Sequence, residues 1–151
     1  MEFDNQSEKG GSVMAVWTEP KIDWSSTDRF NITDYNRIKN NIQWLCDKAN
    51  ELYASFLYAD MGNDIVSYDS YWKAEFFNAF EENIETINRN IFTKDYGISQ
   101  RFFENGPFIK WDELNRIENA CLSMKDILQR QEAGKTTRLS FRLGNMKGVR
   151  A

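Results

Sequence analysis

The sequence predicts an all-α fold: three long antiparallel helices in a bundle, with an extended N-terminal arm and a basic, strand-capable C-terminal tail. Three observations predict it. Apolar residues recur at spacings of three and four in three separate stretches, the repeat of a helical seam rather than a strand. Runs rich in Gly, Asp and Asn separate those stretches. The chain is 41% hydrophobic, and its 11 Phe, 6 Tyr and 5 Trp supply enough bulk for one ordinary domain with a sizeable core.

Residues 1–13 are polar and glycine-bearing, and read as a flexible extension, either upstream sequence or a cloning scar. Residues 14–30 form an extended arm, since Pro20 and the run Ser25-Ser26-Thr27-Asp28 oppose helix. Trp17 and Trp24 are placed to pin this arm to the core. The helical domain spans 31–134. Its first helix starts at Asn31, an N-cap with Asp34 as a capping-box partner and Phe30 and Tyr35 as a hydrophobic staple. Tyr35, Ile38, Ile42, Leu45, Ala49, Leu52 and Phe56 extend its seam to about Tyr58.

The second helix is expected from Trp72 to about Phe92, with Phe77, Phe80, Ile84, Ile87 and Ile91 inward and Glu81, Glu82, Glu85 and Arg89 on a solvated outer face. Thr93 to Phe108 reads as a loop, a length that often serves binding. The third helix starts near Trp111, carries Leu114, Ile117, Cys121, Met124 and Leu128, and is expected to stop at Gly134 as a C-cap. The tail, 135–151, holds five basic residues and no acid. Removing those cations from the chain's net −4 leaves −9 on the preceding part. Its Leu139, Phe141 and Leu143 alternate with Arg138, Ser140 and Arg142, the period of a half-buried strand. A partner strand would be Val13 to Trp17 or an edge on another subunit.

The composition excludes several chemistries. With no histidine, Ser-His-Asp and Cys-His catalysis and every His-ligated metal site are absent. Two cysteines, Cys46 and Cys121, lack CxxC spacing and read as buried apolar groups. Asp60 to Asp64 with Asp69 lacks the alternating ligands of a calcium loop and reads as a solvated turn. Gly134-Lys135-Thr136 lacks the upstream glycine of a phosphate loop. No catalytic residue, metal or cofactor is expected. No bilayer-spanning run or secretion signal is read in the chain.

Asn36-Arg37-Ile38 repeats as Asn115-Arg116-Ile117, a shift of 79 residues that also matches Asp34 with Glu113. The segment Trp17 to Leu45 contains Pro20, Lys21, Asp23 and Trp24, then Phe30-Asn31, then Asp34-Tyr35-Asn36-Arg37-Ile38 and a spaced Asn41. In this it resembles small structural proteins and fibre-anchoring regions of tailed phages from Gram-positive hosts. The resemblance covers about 30 residues and implies a virion component of the tail, baseplate or fibre attachment, with no enzymatic site.

The expected function is therefore non-enzymatic assembly with other copies of the chain and with neighbouring virion proteins. A small-molecule substrate, nucleic acid and membrane are not expected partners. The interface candidates are Trp17, Trp24, Asn36, Arg37, Trp44, Arg138, Leu139, Phe141, Arg142 and Leu143. For Asn36 and Arg37, local capping and intersubunit contact both remain open. The alternative functions are a helical adaptor or regulatory module and a small nucleic-acid-binding packaging factor, the latter marked by affinity that falls steeply with salt.

Overall fold

A computed structural model describes residues 15–67 and 72–148, without the side chains of 135–148. The expected flexible extension at 1–13 and the side chains of Arg138, Leu139, Phe141, Arg142 and Leu143 lie outside the described residues. The described chain is all-helical apart from its extended connections, with three α-helices and no strand.

Helix α1 spans Ile32–Leu52. It opens on the expected capping box: the Asn31 side chain accepts from the Asp34 N–H, and Asp34 accepts from the Asn31 N–H. It ends a turn and a half before Tyr58. Tyr53 is extended, and the Asn50 side chain takes the Phe56 N–H at 3.0 Å, a donor that a longer helix would have sent to Leu52. Helix α2 spans Ala74–Ile87 and runs into a π-helical turn, Asn88–Phe92, closed by left-handed Thr93.

Helix α3 spans Trp111–Gly148 and corrects two expectations. It passes through Gly134 rather than capping there, and the tail continues it as helix rather than strand. An interior Gly costs a helix only about 1 kcal/mol, whereas a strand needs a partner that the described chain does not offer.

The antiparallel arrangement is also corrected: the helices run in the same direction. Early α1 meets early α3 through Arg37 and Glu118, and late α1 meets late α3 through Lys48 and Glu132. Tyr35 near the start of α1 meets Phe76 in the first turn of α2. Parallel helices require each connection to travel back along the bundle. The connections do so as extended ribbons. Residues 15–30 lie along α1 and α3, 53–67 along α1 and α2, and 93–110 along α2 and α3.

Each ribbon and the helix after it form one unit, and the described chain contains three. The buried sets Tyr35, Ile38, Ile42, Leu45 and Phe77, Phe80, Ile84, Ile87 and Leu114, Ile117, Cys121, Met124 occupy equivalent positions and together make the core. The two copies visible in the sequence are thus the first and third of three.

Candidate functional site

The helices hold the ribbons through asparagine side chains. A primary amide has one acceptor and two donors, so it can accept from a backbone N–H and donate to the C=O of the same residue, as a neighbouring strand would. Asn36 grips Ile65 in this way at 2.9 and 2.8 Å, Asn78 grips Phe102 at 2.8 and 2.9 Å, and Asn115 grips Trp24 at 2.8 and 3.0 Å. These asparagines are equivalent in the three units. The first helix holds the second ribbon, the second holds the third, and the third holds the first, so the contacts close in a cycle. A second set binds the first two helices to their own ribbons: Asn41 grips Thr18, and Asn83 grips Ala59. The third unit has Ala120 at that place. Asn88 adds a grip on Lys94.

Ion pairs run around the helices in the opposite sense, from α1 to α3 and from α3 to α2. Arg37 bonds Asp34 three residues back and reaches across to α3, where Nε and Nη2 meet both oxygens of Glu118 at 2.9 and 2.7 Å. Glu118 is only 1% exposed. It also accepts from the Lys21 N–H at 3.0 Å and from Trp24 Nε1 at 2.7 Å, so this buried carboxylate has four donors. The Arg37 guanidinium also lies over the Trp24 ring.

Arg116, the equivalent arginine on α3, bonds Glu113 three residues back and pairs with buried Glu81 of α2. Glu81 Oε2 also accepts from the Gln100 N–H, but Oε1 has no partner. Burial pushes the Glu81 carboxyl above its ordinary range; Arg116 and the Gln100 N–H oppose that shift without cancelling it. The expected solvated face of α2 is therefore corrected at Glu81, while Glu82 and Glu85 are exposed. Helix periodicity alone does not show that a ribbon covers one side of α2. Gly97 belongs to this corner. Its φ is +86°, and a Cβ there would come within 2.5 Å of Arg116 Cδ.

The third corner has no arginine–glutamate pair. Ala79 takes the arginine position on α2, and Lys39 takes the glutamate position on α1. Lys39 Nζ instead bonds Asp64 at 2.8 Å and the Gly62 C=O at 3.2 Å in the second ribbon. Asp60 accepts from the Gly62 N–H. The acids considered for a calcium loop are thus engaged by the chain itself, apart from Asp69, which lies outside the described residues.

Most of the described interface candidates are engaged inside the chain. Trp24 is buried, and Asn36 and Arg37 form the interlock. Trp17 and Trp44 meet edge to face at 5.6 Å, with Lys125 over the first ring and Lys48 over the second. Arg138, Leu139, Phe141, Arg142 and Leu143 lie on the last turns of α3. The sequence reading missed Glu118, Glu81, Asn78, Asn83 and Gly97. The five-residue spacing of Asn36–Asn41 and Asn78–Asn83 was the available signal.

Cys46 and Cys121 are buried free thiols, and burial pushes both well above the ordinary thiol range. An aromatic cavity of about 420 Å³, lined by Trp72, Phe77, Phe102, Phe103 and Phe108 with Lys73 and Glu104, opens beside the first turn of α2. Among the described residues no group of acids or cysteines is placed to hold a metal ion, and no helix is long and apolar enough to cross a membrane. No protein-family model, curated protein or solved structure matches the chain.

Proposed function

We propose that the chain is a non-enzymatic structural protein of a tailed-phage virion, acting at the tail, baseplate or fibre-attachment region. There it joins neighbouring virion proteins and other copies of itself. One observation carries this reading: several of the residues behind the phage resemblance fasten helices and ribbons to one another. Trp24 is held by Asn115 and Glu118, Arg37 by Glu118, and Asn36 and Asn41 hold ribbons. The motif is thus a device for fastening ribbons and helices together, chemistry suited to assembly rather than turnover. Further support comes from α3. At 38 residues against 21 for α1 it is about 57 Å long, and it continues for several turns beyond Glu132, where late α1 meets it.

Quantitative mass spectrometry of gradient-purified particles, made from the genome that encodes the chain, tests the proposal. The chain is expected at a fixed copy number per particle. Its presence in the lysate and absence from the particles would overturn the reading.

A further inference from the structure

The aromatic cavity beside the first turn of α2 is built from rings that already hold one another. Phe77 meets Phe102 at 5.8 Å and Phe108 at 5.4 Å, and Trp72 meets Phe108 at 6.5 Å. The loop that closes it turns on the Gly106 N–H, which bonds the Phe103 C=O at 2.9 Å, and on left-handed Asn105. The volume, about 420 Å³, is that of a small-ligand site. Phe103 does not belong to the ring stack. Among the described residues it meets no other ring, and it is 69% exposed. The fold does not call for a ring there, since the residues that follow the clamped Trp24 and Ile65 in the other ribbons are Ser25 and Val66. Three exposed polar residues, Lys73, Glu104 and Asn105, also line the cavity. Among the described residues none of their side chains has a hydrogen-bond or ion-pair partner.

These groups select the class of ligand. An aliphatic or aromatic guest would cover the rings but leave three polar groups desolvated without partners. An ion would gain no net attraction, because the charges of Lys73 and Glu104 cancel, and a nucleic acid would meet an acidic body. A sugar ring satisfies both features of the site. Its C–H face lies flat on an aromatic ring, and the hydroxyls round its edge both donate and accept, as an ammonium, a carboxylate and an amide together require. We infer that this cavity binds a neutral saccharide, with Phe103 as the stacking platform and Lys73, Glu104 and Asn105 bonding the hydroxyls. The helices run in one direction, so the cavity opens at the end of the bundle opposite the projecting end of α3. A chain fixed by that projecting end keeps the cavity open to a glycan. This inference goes beyond the virion reading and does not rest on it.

Glycan binding by the purified full chain tests it. An array of neutral and acidic oligosaccharides is probed with the chain and an antibody against it, and the strongest neutral glycan is then titrated in solution while tryptophan emission is read. Saturable binding of at least one neutral glycan is expected, with a change in emission as Trp72 is covered. Phe103→Ala removes the platform, and Asn105→Gly removes the amide while keeping the left-handed backbone. Each variant, with an unchanged thermal transition, is expected to weaken binding at least about tenfold. Val66→Ala, at the matching place of the second ribbon, is expected to leave it unchanged. An array on which no neutral glycan binds above the level of Phe103→Ala, binding confined to acidic glycans, or binding that both cavity variants leave intact would overturn the inference. Tetramethylammonium and a polyproline peptide are titrated in the same way, and a response to either without one to any saccharide would assign the cavity to a cation or a peptide instead. A chain that binds the glycan but is absent from purified particles would overturn the virion reading alone.

Discussion

The α1–α3 and α2–α3 corners use the same device and reach different electrostatic outcomes. At both, an arginine bonds an acid three residues back and a buried glutamate on the neighbouring helix. Glu118 receives four donors because the first ribbon adds the Lys21 N–H and the Trp24 indole N–H to the Arg37 fork. Glu81 receives only one backbone donor from the third ribbon, the Gln100 N–H, and keeps one oxygen unpartnered. A buried charge pair helps a fold only when its remaining hydrogen-bonding capacity is met. The comparison teaches that the ribbon, more than the arginine–glutamate pair, decides what each corner contributes.

The largest expected effect is at the satisfied corner. Glu118→Ala strands Arg37 and the Trp24 indole in a buried site, and should cost about 3–5 kcal/mol in urea unfolding. Glu81→Ala should cost visibly less, since part of its carboxylate is already unsatisfied. Equal losses would remove the distinction between the corners.

Gly97→Ala should cost roughly 2 kcal/mol, because the new Cβ meets both an unfavourable backbone angle and the Arg116 side chain. Combining it with Arg116→Ala relieves the clash but not the angle. The double variant should therefore lose less than the sum of the single ones, a non-additivity that thermal unfolding can read.

The cyclic asparagines offer a test of equivalence. Asn36→Ala, Asn78→Ala and Asn115→Ala each release one N–H and one C=O, and should cost about 1–3 kcal/mol apiece. Values within about 1 kcal/mol of one another would support three like units. A dominant Asn115, whose grip on Trp24 adjoins Glu118, would show that the first ribbon carries most of the interlock.

The smallest effect is a pH dependence, and its sign is informative. The carboxyl of Glu81 sits above its unfolded value in the folded chain, so its favourable contribution is full at low pH and fades as pH rises through the raised pKa. The stability of the parent relative to Glu81→Gln should therefore decline with rising pH. Asp64, held below its ordinary range first of all by its hydrogen bond from Lys39, acts in the opposite sense and loses its contribution as pH falls. Urea midpoints across the carboxylate range would separate the two. A parent that gains on Glu81→Gln as pH rises would show that Arg116 keeps Glu81 ionised.

The sequence by itself determined the local and periodic features. Asn31 and Asp34 form a reciprocal cap because their side chains are within reach of each other's backbone. The seams bury because spacings of three and four place side chains on one face, as at Ile38 and Ile42 or Ile117 and Cys121. The match between Asn36-Arg37 and Asn115-Arg116 was legible as a repeat, but its purpose was not. The second unit escaped notice because Ala79 and Phe76 replace the arginine and its acid, leaving only asparagine and the apolar seam in common.

Only the tertiary structure decided helix direction, ribbon placement and the burial of Glu81 and Glu118. A heptad seam is the same read against a parallel or an antiparallel neighbour. The distinguishing information lies in the long connections, which have no periodicity of their own. Their course is fixed by amide groups gripping backbone far away in the chain, as Asn115 grips Trp24. Such a bond depends on where two segments meet in space, and no spacing within either segment encodes that meeting.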